Sequence, residues 1–300
     1  MSYMAQPKVL ITGIKGFTGT YLAAELEANG WDVWGVGSQP DEADLRYRCV
    51  DLLHASDLRA VVEEVQPDAV VHLAAIAFVG HSDADAFYRT NLLGTRNLLA
   101  ALAGVRHKLQ CVLLASSANV YGNTTEGVLT EDFPLNPAND YAVSKVGMEF
   151  MARLWMEQLP IVIVRPFNYT GVGQSENFLL PKIVAHFRKR AESIQLGNLN
   201  VWRDFSDVRA VVRAYRRLLE VRPAGATVNV CSGRTHSLRE VLHMAEHISS
   251  HCLQVQINPA FVRANEVLSL SGSSARLRDL IGDWDVPPLE ETLRWMLGAR

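Results

Sequence analysis

A serine, a tyrosine and a lysine in this sequence have the types and spacing needed for proton transfer at a carbon–oxygen bond. Tyr141 and Lys145 are four positions apart at the start of a predicted helix (141–157), so both side chains share one helical face. A neighbouring cation favours the phenolate, which brings proton exchange by Tyr141 nearer to neutral pH. Ser117 follows a predicted strand (110–115) and is placed to hydrogen-bond the oxygen that Tyr141 protonates. We therefore predict a catalytic set acting at a hydroxyl or keto carbon.

A glycine-rich segment near the N-terminus predicts a dinucleotide site. The segment GIKGFTG (13–19) separates a predicted strand (8–12) from a predicted helix (17–29). Glycines permit a tight turn and let the backbone approach a pyrophosphate, while the free N–H groups of the helix N-terminus attract the phosphates. A lysine can also hold a ribose hydroxyl, so Tyr141 and Lys145 are predicted cofactor contacts as well. The predicted contacts in the glycine segment are Gly13, Gly16, Phe17, Thr18 and Gly19.

The end of the second predicted strand (33–36) bears on which dinucleotide is bound. Strands in this position usually end in Asp or Glu when the cofactor is NAD, because a carboxylate accepts the ribose 2′-hydroxyl. Here the strand leads to Ser38, which could donate to a 2′-phosphate, with Arg46 or Arg48 nearby. The pattern favours NADP(H), and NAD(H) stays open.

Two further short segments are predicted to contact the cofactor. Asp51 and Leu52 follow a third short strand and are placed to meet the adenine, although Asp51 could equally cap the next predicted helix (55–65). Ala74 and Ala75 follow another strand and are small enough to let a ribose approach the backbone.

The first half of the chain alternates strand-like and helical segments. Short apolar runs are predicted as strands (8–12, 33–36, 69–73, 110–115 and 161–164), with helical periodicity between them (17–29, 55–65, 91–103 and 141–157). Buried strands joined by helices predict an α/β fold with a doubly wound parallel Rossmann sheet. After residue 166 this rhythm breaks. We expect a dinucleotide domain (1–166) and a smaller C-terminal substrate-binding lobe (167–300), some of whose segments return to the first domain.

Composition argues against several classes of function. The 300 residues carry a formal net charge of −3, so there is no basic field to hold a nucleic acid. Scattered cysteines without a CxxC pair favour reduced thiols, and no apolar run approaches the length of a membrane span. His243, His247 and His251 recur at helical spacing, but the glutamate of an HExxH site is missing, which favours a solvated face. We expect a soluble, cytoplasmic protein without metal, nucleic-acid or membrane partners.

Together the motifs resemble those of the extended short-chain dehydrogenase/reductase family, whose members act largely on nucleotide sugars. The resemblance is carried by GIKGFTG (13–19), Asp51 and Leu52, HLAA (72–75), Asn91, SSANVYG (116–122), YAVSK (141–145) and RPFN (165–168). It implies that Asn91 helps to orient Lys145 through water, although Asn91 could instead cap its helix. It also implies a homodimer in which the helices 91–103 and 141–157 pair, with burial inside one chain as the alternative.

The second half is most similar to the branch of this family that handles GDP-mannose derivatives. The similarity is carried by RPFNYTGVGQ (165–174), GNL and RDFSD (197–199 and 203–207), and RANEV (263–267), where the branch usually has RPxEV. Arg203 and Arg263 would then grip a diphosphate, or else pair with Asp204 and Glu266. The implied partner is a GDP-linked 4-keto-6-deoxy sugar. Its implied contacts are Ser117, Asn168, Arg203, Arg263 and Glu266.

Two positions narrow the reaction that the resemblance implies. Dehydratases of the family carry Glu two residues before the tyrosine of the VYG segment, and its epimerase-reductases carry Cys there and His further downstream. This chain has Asn119 and Phe178 at those positions, and neither side chain relays a proton to or from carbon. Hydride transfer with one proton remains, which predicts reduction of a 4-keto group by NAD(P)H. A nucleotide-sugar 4-epimerase, a GDP-mannose 4,6-dehydratase and a non-catalytic dinucleotide-binding regulator stay open as alternatives.

Overall fold

The computed structural model describes residues 6–79, 83–123, 127–261 and 269–299. Its strands are β1 (Lys8–Thr12), β2 (Asp32–Gly37), β3 (Tyr47–Cys49), β4 (Ala69–His72), β5 (Cys111–Ala115), β6 (Ile161–Pro166), β7 (Asn168–Thr170), β8 (Ser193–Leu196), β9 (Trp202–Asp207), β10 (Thr227–Val230), β11 (Thr235–Ser237), β12 (Gln254–Ile257) and β13 (Ser269–Leu270). Its α-helices are α1 (Phe17–Ala28), α2 (Ala55–Val65), α3 (Ala84–Phe87), α4 (Thr95–Ala103), α5 (Asp140–Arg153), α6 (Leu179–Arg188), α7 (Val208–Val221), α8 (Leu238–Ser249), α9 (Ala275–Ile281) and α10 (Leu289–Gly298). A π-helical segment (Tyr88–Gly94) leads into α4, and 3₁₀ turns cover Ala118–Tyr121 and Pro259–Phe261.

Seven of these strands form one parallel sheet in the order β10-β6-β5-β4-β1-β2-β3. The chain winds outward from β1 to β3, returns to β4 beside β1, and continues to β6 and β10. This confirms the predicted doubly wound Rossmann sheet. Because the winding direction reverses between β1 and β4, a ligand cleft is expected at their carboxyl ends.

Side chains alternate between the two faces of the sheet along each strand, and both faces are buried. In β5, Cys111 and Leu113 face a core shared with α1 and α7, whereas Val112 and Leu114 face a second core shared with α2, α4 and α5. All four side chains are fully buried, as central strands covered on both faces require. The sheet is thus held rigidly between helices, and the strand ends remain to carry a site.

A smaller lobe follows β6. Within it β9 pairs with β7, β11 and β13, and β8 pairs with β12. The helices α6, α8 and α10 pack with these strands around a third apolar core. The lobe contacts the sheet domain at α1, where the rings of Tyr21 and Trp295 meet edge to face at 6.0 Å.

Two helices near the carboxyl edge differ from their predicted bounds. The helix predicted over 91–103 begins as the π-helix Tyr88–Gly94 and becomes α-helical only at Thr95. The helix predicted over 141–157 is Asp140–Arg153, because the next N–H groups donate to carbonyls three residues back and tighten the chain into turns.

Candidate active site

Three predicted catalytic side chains meet at the carboxyl end of β5. Ser117 follows that strand and is the N-cap of the turn Ala118–Tyr121. Tyr141 and Lys145 lie on successive turns of α5, whose N-terminus is capped by Asn139 through a 2.9 Å hydrogen bond from the Ala142 N–H. Their exposed fractions are 6% for Ser117, 7% for Tyr141 and 4% for Lys145, so bulk water is excluded from all three.

Burial shifts the pKa of both Tyr141 and Lys145. It raises the pKa of Tyr141 to about 12, and the hydrogen bond from Ser117 offsets only part of that effect. It also lowers the pKa of Lys145 to about 8, against the opposing influence of the Glu149 carboxylate. The direction for Tyr141 is opposite to the expected one, because desolvation of the buried phenolate outweighs the hydrogen bond from Ser117. Tyr141 is therefore a neutral phenol near neutral pH.

Lys145 and Asn91 are held by different partners. The Lys145 Nζ donates to the Ala115 carbonyl at 2.7 Å. Asn91 accepts from the Ile76 N–H at 2.9 Å, and its Nδ2 donates to the Ser144 hydroxyl at 3.0 Å, which in turn donates to the Tyr141 carbonyl at 2.7 Å. Asn91 lies inside the π-helix, so its interpretation as a helix N-cap is wrong. It ties the segment after β4 to the helix that carries Tyr141.

A buried histidine, which the sequence did not single out, bridges the sheet and α4. The His72 Nδ1 lies 2.7 Å from the Thr12 Oγ1 and its Nε2 lies 2.8 Å from the Thr95 Oγ1. Burial lowers the pKa of His72 to about 3, so the ring is neutral. Thr12 also accepts from the Ala74 N–H at 3.2 Å, which fixes the turn after β4 that is predicted to meet the cofactor.

A buried ion pair, also missed from sequence, lies behind the serine. Arg165 donates to both carboxylate oxygens of Glu149, at 2.9 and 2.7 Å, and both side chains are almost fully buried. The Ser116 hydroxyl donates to the same carboxylate at 2.5 Å. Since Ser116 precedes Ser117, this pair anchors the end of β5 from beneath.

The glycine segment has the geometry of a phosphate cradle. Gly13 has φ of +73°, and a Cβ on it would lie 2.8 Å from the Ala74 N, so only glycine fits. Among the described residues, none caps α1 with its side chain and its first turn carries no acid, so its N–H groups are available to an anion. Thr18 and Phe17 lie there too, the former 2.7 Å from the Tyr169 hydroxyl and the latter stacked on the Tyr169 ring. The arrangement fits a dinucleotide pyrophosphate.

The predicted adenosine end of this cleft contains a cation that the sequence did not indicate. Ser38 is exposed after β2, and Arg46 and Arg48 are paired with Asp32 and Glu64. Lys15, inside the glycine segment, pairs with Asp41 at 2.7 Å, and its Nζ lies 3.8 Å from the centre of the Tyr47 ring.

The segment after β3 shows what Asp51 does. The Asp51 carboxylate accepts the Leu53 N–H at 2.9 Å, whereas His54 is the N-cap of α2, so Asp51 does not cap that helix. Asp51 is exposed and Leu52 is buried.

The predicted substrate residues lie in the smaller lobe. Asn168 is exposed at the start of β7, with its Nδ2 3.4 Å from the Asp204 carbonyl, and Arg203 is half-buried in β9. The Asp204 carboxylate is buried and accepts from the Ser232 N–H and hydroxyl and from the Gly233 N–H. Burial raises the pKa of Asp204 to about 6. Arg263 and Glu266 lie outside the described residues.

Three further observations concern groups that could bind other partners. Over the described ranges, no set of three His, Cys, Asp or Glu side chains could hold a metal ion. In the same part of the chain, every helix is too short or too polar to cross a membrane. His243 and His247 are exposed, and the His251 Nε2 lies 2.8 Å from the Ala191 carbonyl.

The chain matches known proteins over most of its length. A family model described as the NAD dependent epimerase/dehydratase family matches residues 9–231. The chain is 33% identical to a GDP-6-deoxy-D-talose 4-dehydrogenase of Aggregatibacter actinomycetemcomitans, over 92% of each chain. It is 35% identical to a GDP-6-deoxy-D-mannose reductase of Pseudomonas aeruginosa, over 97% of this chain and 96% of the relative. The solved structure of RMD from Pseudomonas aeruginosa complexed with NADPH is similar with a TM-score of 0.86 and 32% identity, over 97% of this chain and 98% of that one.

Proposed function

We propose that this chain, which belongs to the NAD dependent epimerase/dehydratase family, reduces the 4-keto group of GDP-4-dehydro-6-deoxy-D-mannose with NAD(P)H to give GDP-D-rhamnose. Membership confirms the resemblance indicated by the motifs. It also confirms NADP(H) or NAD(H) as the cofactor, since the family is NAD dependent and a solved relative is complexed with NADPH. The chain is thus a relative of enzymes that modify nucleotide sugars.

The observation that carries this proposal is a neutral, buried phenol beside a serine hydroxyl at the carboxyl edge of the sheet. With its pKa raised to about 12 by burial, Tyr141 keeps its proton at neutral pH and gives it up only to an oxygen that gains negative charge. A keto oxygen under reduction is such an acceptor. When bound, the nicotinamide supplies the hydride for C4.

Lys145 supports this proton transfer in two ways. Its Nζ is anchored on the Ala115 carbonyl, and with a pKa of about 8 it is still mostly cationic at neutral pH. A cation there offsets the negative charge that Tyr141 acquires once its proton has left. Asn91, through Ser144, fixes the backbone of α5, which favours a positioning role for it.

The GDP group is proposed to lie against the smaller lobe, which begins after residue 166. The two curated relatives are both named for GDP-6-deoxy sugars. Asn168 and Arg203 lie on the paired strands β7 and β9, and a guanidinium fork suits diphosphate oxygens. Arg263 and Glu266 complete the proposed contacts.

The test is to incubate the protein with the GDP-linked 4-keto sugar and either NADPH or NADH, and to identify the product by NMR. We expect GDP-D-rhamnose, with one equivalent of reduced cofactor consumed. The names of the two relatives refer to sugars of opposite configuration at C4, so formation of GDP-6-deoxy-D-talose would correct the product and keep the reaction class. Absence of any C4 alcohol would reject the proposal.

A 4-epimerase of the same family is the second candidate, because the family model covers epimerases and this catalytic set suits oxidation and re-reduction of one carbon. An epimerase returns its hydride to the substrate and consumes no free NAD(P)H. Conversion of a C4 alcohol into its epimer without net cofactor consumption would favour it.

A homodimer and a cytoplasmic location are further parts of the proposal. The π-helix and α5 carry apolar side chains that are about half exposed in the single chain: Leu93 48%, Val143 40% and Phe150 54%. Pairing of these helices between two copies would cover them. Light scattering after gel filtration should give twice the chain mass, whereas Phe150→Glu should shift the protein to monomer.

A further inference from the structure

Asn119 contacts the catalytic serine twice. Its backbone N–H donates to the Ser117 Oγ at 3.2 Å, and its side-chain Nδ2 donates to the same oxygen at 3.1 Å. The backbone of Ser117 is extended, with φ of −161°, and its side chain lies against Asn119, two positions further along the chain. The asparagine thus faces the hydroxyl rather than the solvent, from which Ser117 is almost fully shielded.

A serine hydroxyl has one proton to donate and two lone pairs that accept. In this chain both lone pairs of Ser117 are taken by Asn119. Ser117 can therefore form a further hydrogen bond only by donating its hydroxyl proton, which must point towards an acceptor in the cleft. The Tyr141 phenol is beside it, and the keto oxygen of a bound sugar would lie between the two hydroxyls.

We propose that Asn119 is a positioning residue that makes Ser117 an obligate hydrogen-bond donor towards the keto oxygen of the substrate. This rests on the proposed function, because it concerns the oxygen that the reduction protonates. The carbonyl π bond becomes a C–O single bond when C4 receives the hydride and its electron pair. The proton on the new alcohol comes from Tyr141, while the Ser117 proton stays on Ser117 and stabilises the developing charge.

Asparagine suits this task better than the glutamate that dehydratases of the family carry at this position. An ionised carboxylate at residue 119 has no proton to give and would accept the Ser117 proton itself. That would turn the serine away from the substrate. The amide therefore does more than omit an acid: it determines the direction of the neighbouring hydroxyl.

The first experiment is a double-mutant cycle of Asn119→Asp and Ser117→Ala, assayed for kcat and KM. Asn119→Asp should lower kcat at pH 8 by about tenfold or more, the scale of losing one donor to a developing oxyanion, with KM within about twofold. In a Ser117→Ala background the same change should have almost no further effect. Asn29→Asp, an exposed change at the far end of α1, controls for the added charge. An equal loss in both backgrounds, or none in either, would overturn the proposal.

The pH dependence of kcat is a readout that a purely structural role of Asn119 would not change. Protonation of the carboxyl group introduced by Asn119→Asp restores a donor beside Ser117. The kcat of this variant should therefore rise towards that of the unaltered protein as the pH falls from about 8 to about 5, the range in which a buried carboxyl group takes up its proton. A constant ratio between the two proteins across this range would contradict the inference.

A third measurement separates this inference from the proposed function. The carbonyl stretch of a ¹³C4-labelled 4-keto sugar, bound with NADP⁺ so that no turnover occurs, reports the hydrogen bonds that the keto oxygen accepts. The stretch should lie at lower frequency in the unaltered protein than in Asn119→Asp or Ser117→Ala, which should agree with each other. Bound sugar with the shift but without turnover under NADPH would reject only the proposed function. Turnover with identical stretches in all three proteins would reject only the role of Asn119.

Discussion

The two ends of the cleft differ in how far their ion pairs are exposed to water. The Arg165–Glu149 pair behind Ser117 has side chains 3% and 0% exposed, whereas the Lys15–Asp41 pair at the predicted adenosine end has 39% and 35%. A buried pair cannot lose one partner without stranding a charge in a low-dielectric interior, while an exposed pair is screened by water. The groups behind the serine are thus held in place, and we expect cofactor selection to depend on groups such as Lys15 that can exchange partners.

The largest effect is expected from removing the phenol at the buried end. Tyr141→Phe should lower kcat by about 10³-fold, since proton donation by a placed acid contributes on that order. Affinity for the cofactor, measured by fluorescence titration, should change by less than about threefold. Tyr88→Phe is the matched control, because it removes a phenol that donates to Asp140 at the start of the same helix. Comparable losses in both proteins would show that helix placement, and not the phenol, is responsible.

Breaking the buried pair should lower stability more than breaking any exposed one. Glu149→Gln leaves Arg165 buried and uncompensated, which should reduce the free energy of unfolding in urea by about 3–5 kcal/mol. Glu63→Gln, which breaks an exposed pair with Arg59 on α2, should cost at most about 1 kcal/mol. Because the Glu149 carboxylate raises the pKa of Lys145, the high-pH limb of kcat/KM should also move to lower pH in Glu149→Gln. Equal stabilities of the two variants would remove the basis of the comparison.

The neutral His72 should make the buried end sensitive to acid. Its pKa falls from 6.5 to about 3 on folding, so the unfolded chain binds the extra proton between those values. Stability that is fully present above pH 6.5 is therefore lost as the pH falls, by about 2 kcal/mol at pH 5 for this group alone. The free energy of unfolding in urea should differ less between pH 7 and pH 5 in His72→Gln than in the unaltered protein, by that amount. His54→Gln, at an exposed histidine, is the matched control.

The smallest effect is expected at the exposed end, and it should discriminate between cofactors. Lys15 pairs with Asp41 and lies over the Tyr47 ring, whose hydroxyl donates to the carbonyl of the residue after Ser38, so a 2′-phosphate there can compete for it. Lys15→Ala should raise the KM for NADPH by about tenfold, which is the scale of one lost charge-assisted contact. The KM for NADH should rise by less than about twofold. Arg59→Ala controls for the lost positive charge. A parallel rise for both cofactors would assign Lys15 to the shared part of the dinucleotide.

Local spacing explains why much of the site was predictable. Tyr141 and Lys145 are brought together by one turn of helix, and Gly13, Gly16 and Gly19 by one strand–helix junction. The parallel sheet then places Ser117 beside them, because strand ends in such a sheet share one edge. The first two relations depend on local sequence alone, and the third depends only on the order of strands and helices along the chain.

The partners that hold those residues were not predictable in the same way. His72 meets a threonine 60 positions earlier, and Thr18 meets Tyr169 across 151 positions. Such contacts leave no periodic trace in the sequence. The pKa of Tyr141 shows the same limit, since the adjacent lysine indicated a lower value and burial raised it.

The sequence by itself determined the sheet, the glycine turn and the identity of the proposed proton donor, because these follow from periodicity, glycine and residue type. Only the tertiary structure decided that burial raises the pKa of the phenol, that Glu149 and Arg165 lie beneath the serine, and that Asn119 turns its backbone N–H and its side-chain amide onto Ser117. Burial and side-chain direction depend on everything packed around a residue. They are properties of the folded chain and not of any short segment of it.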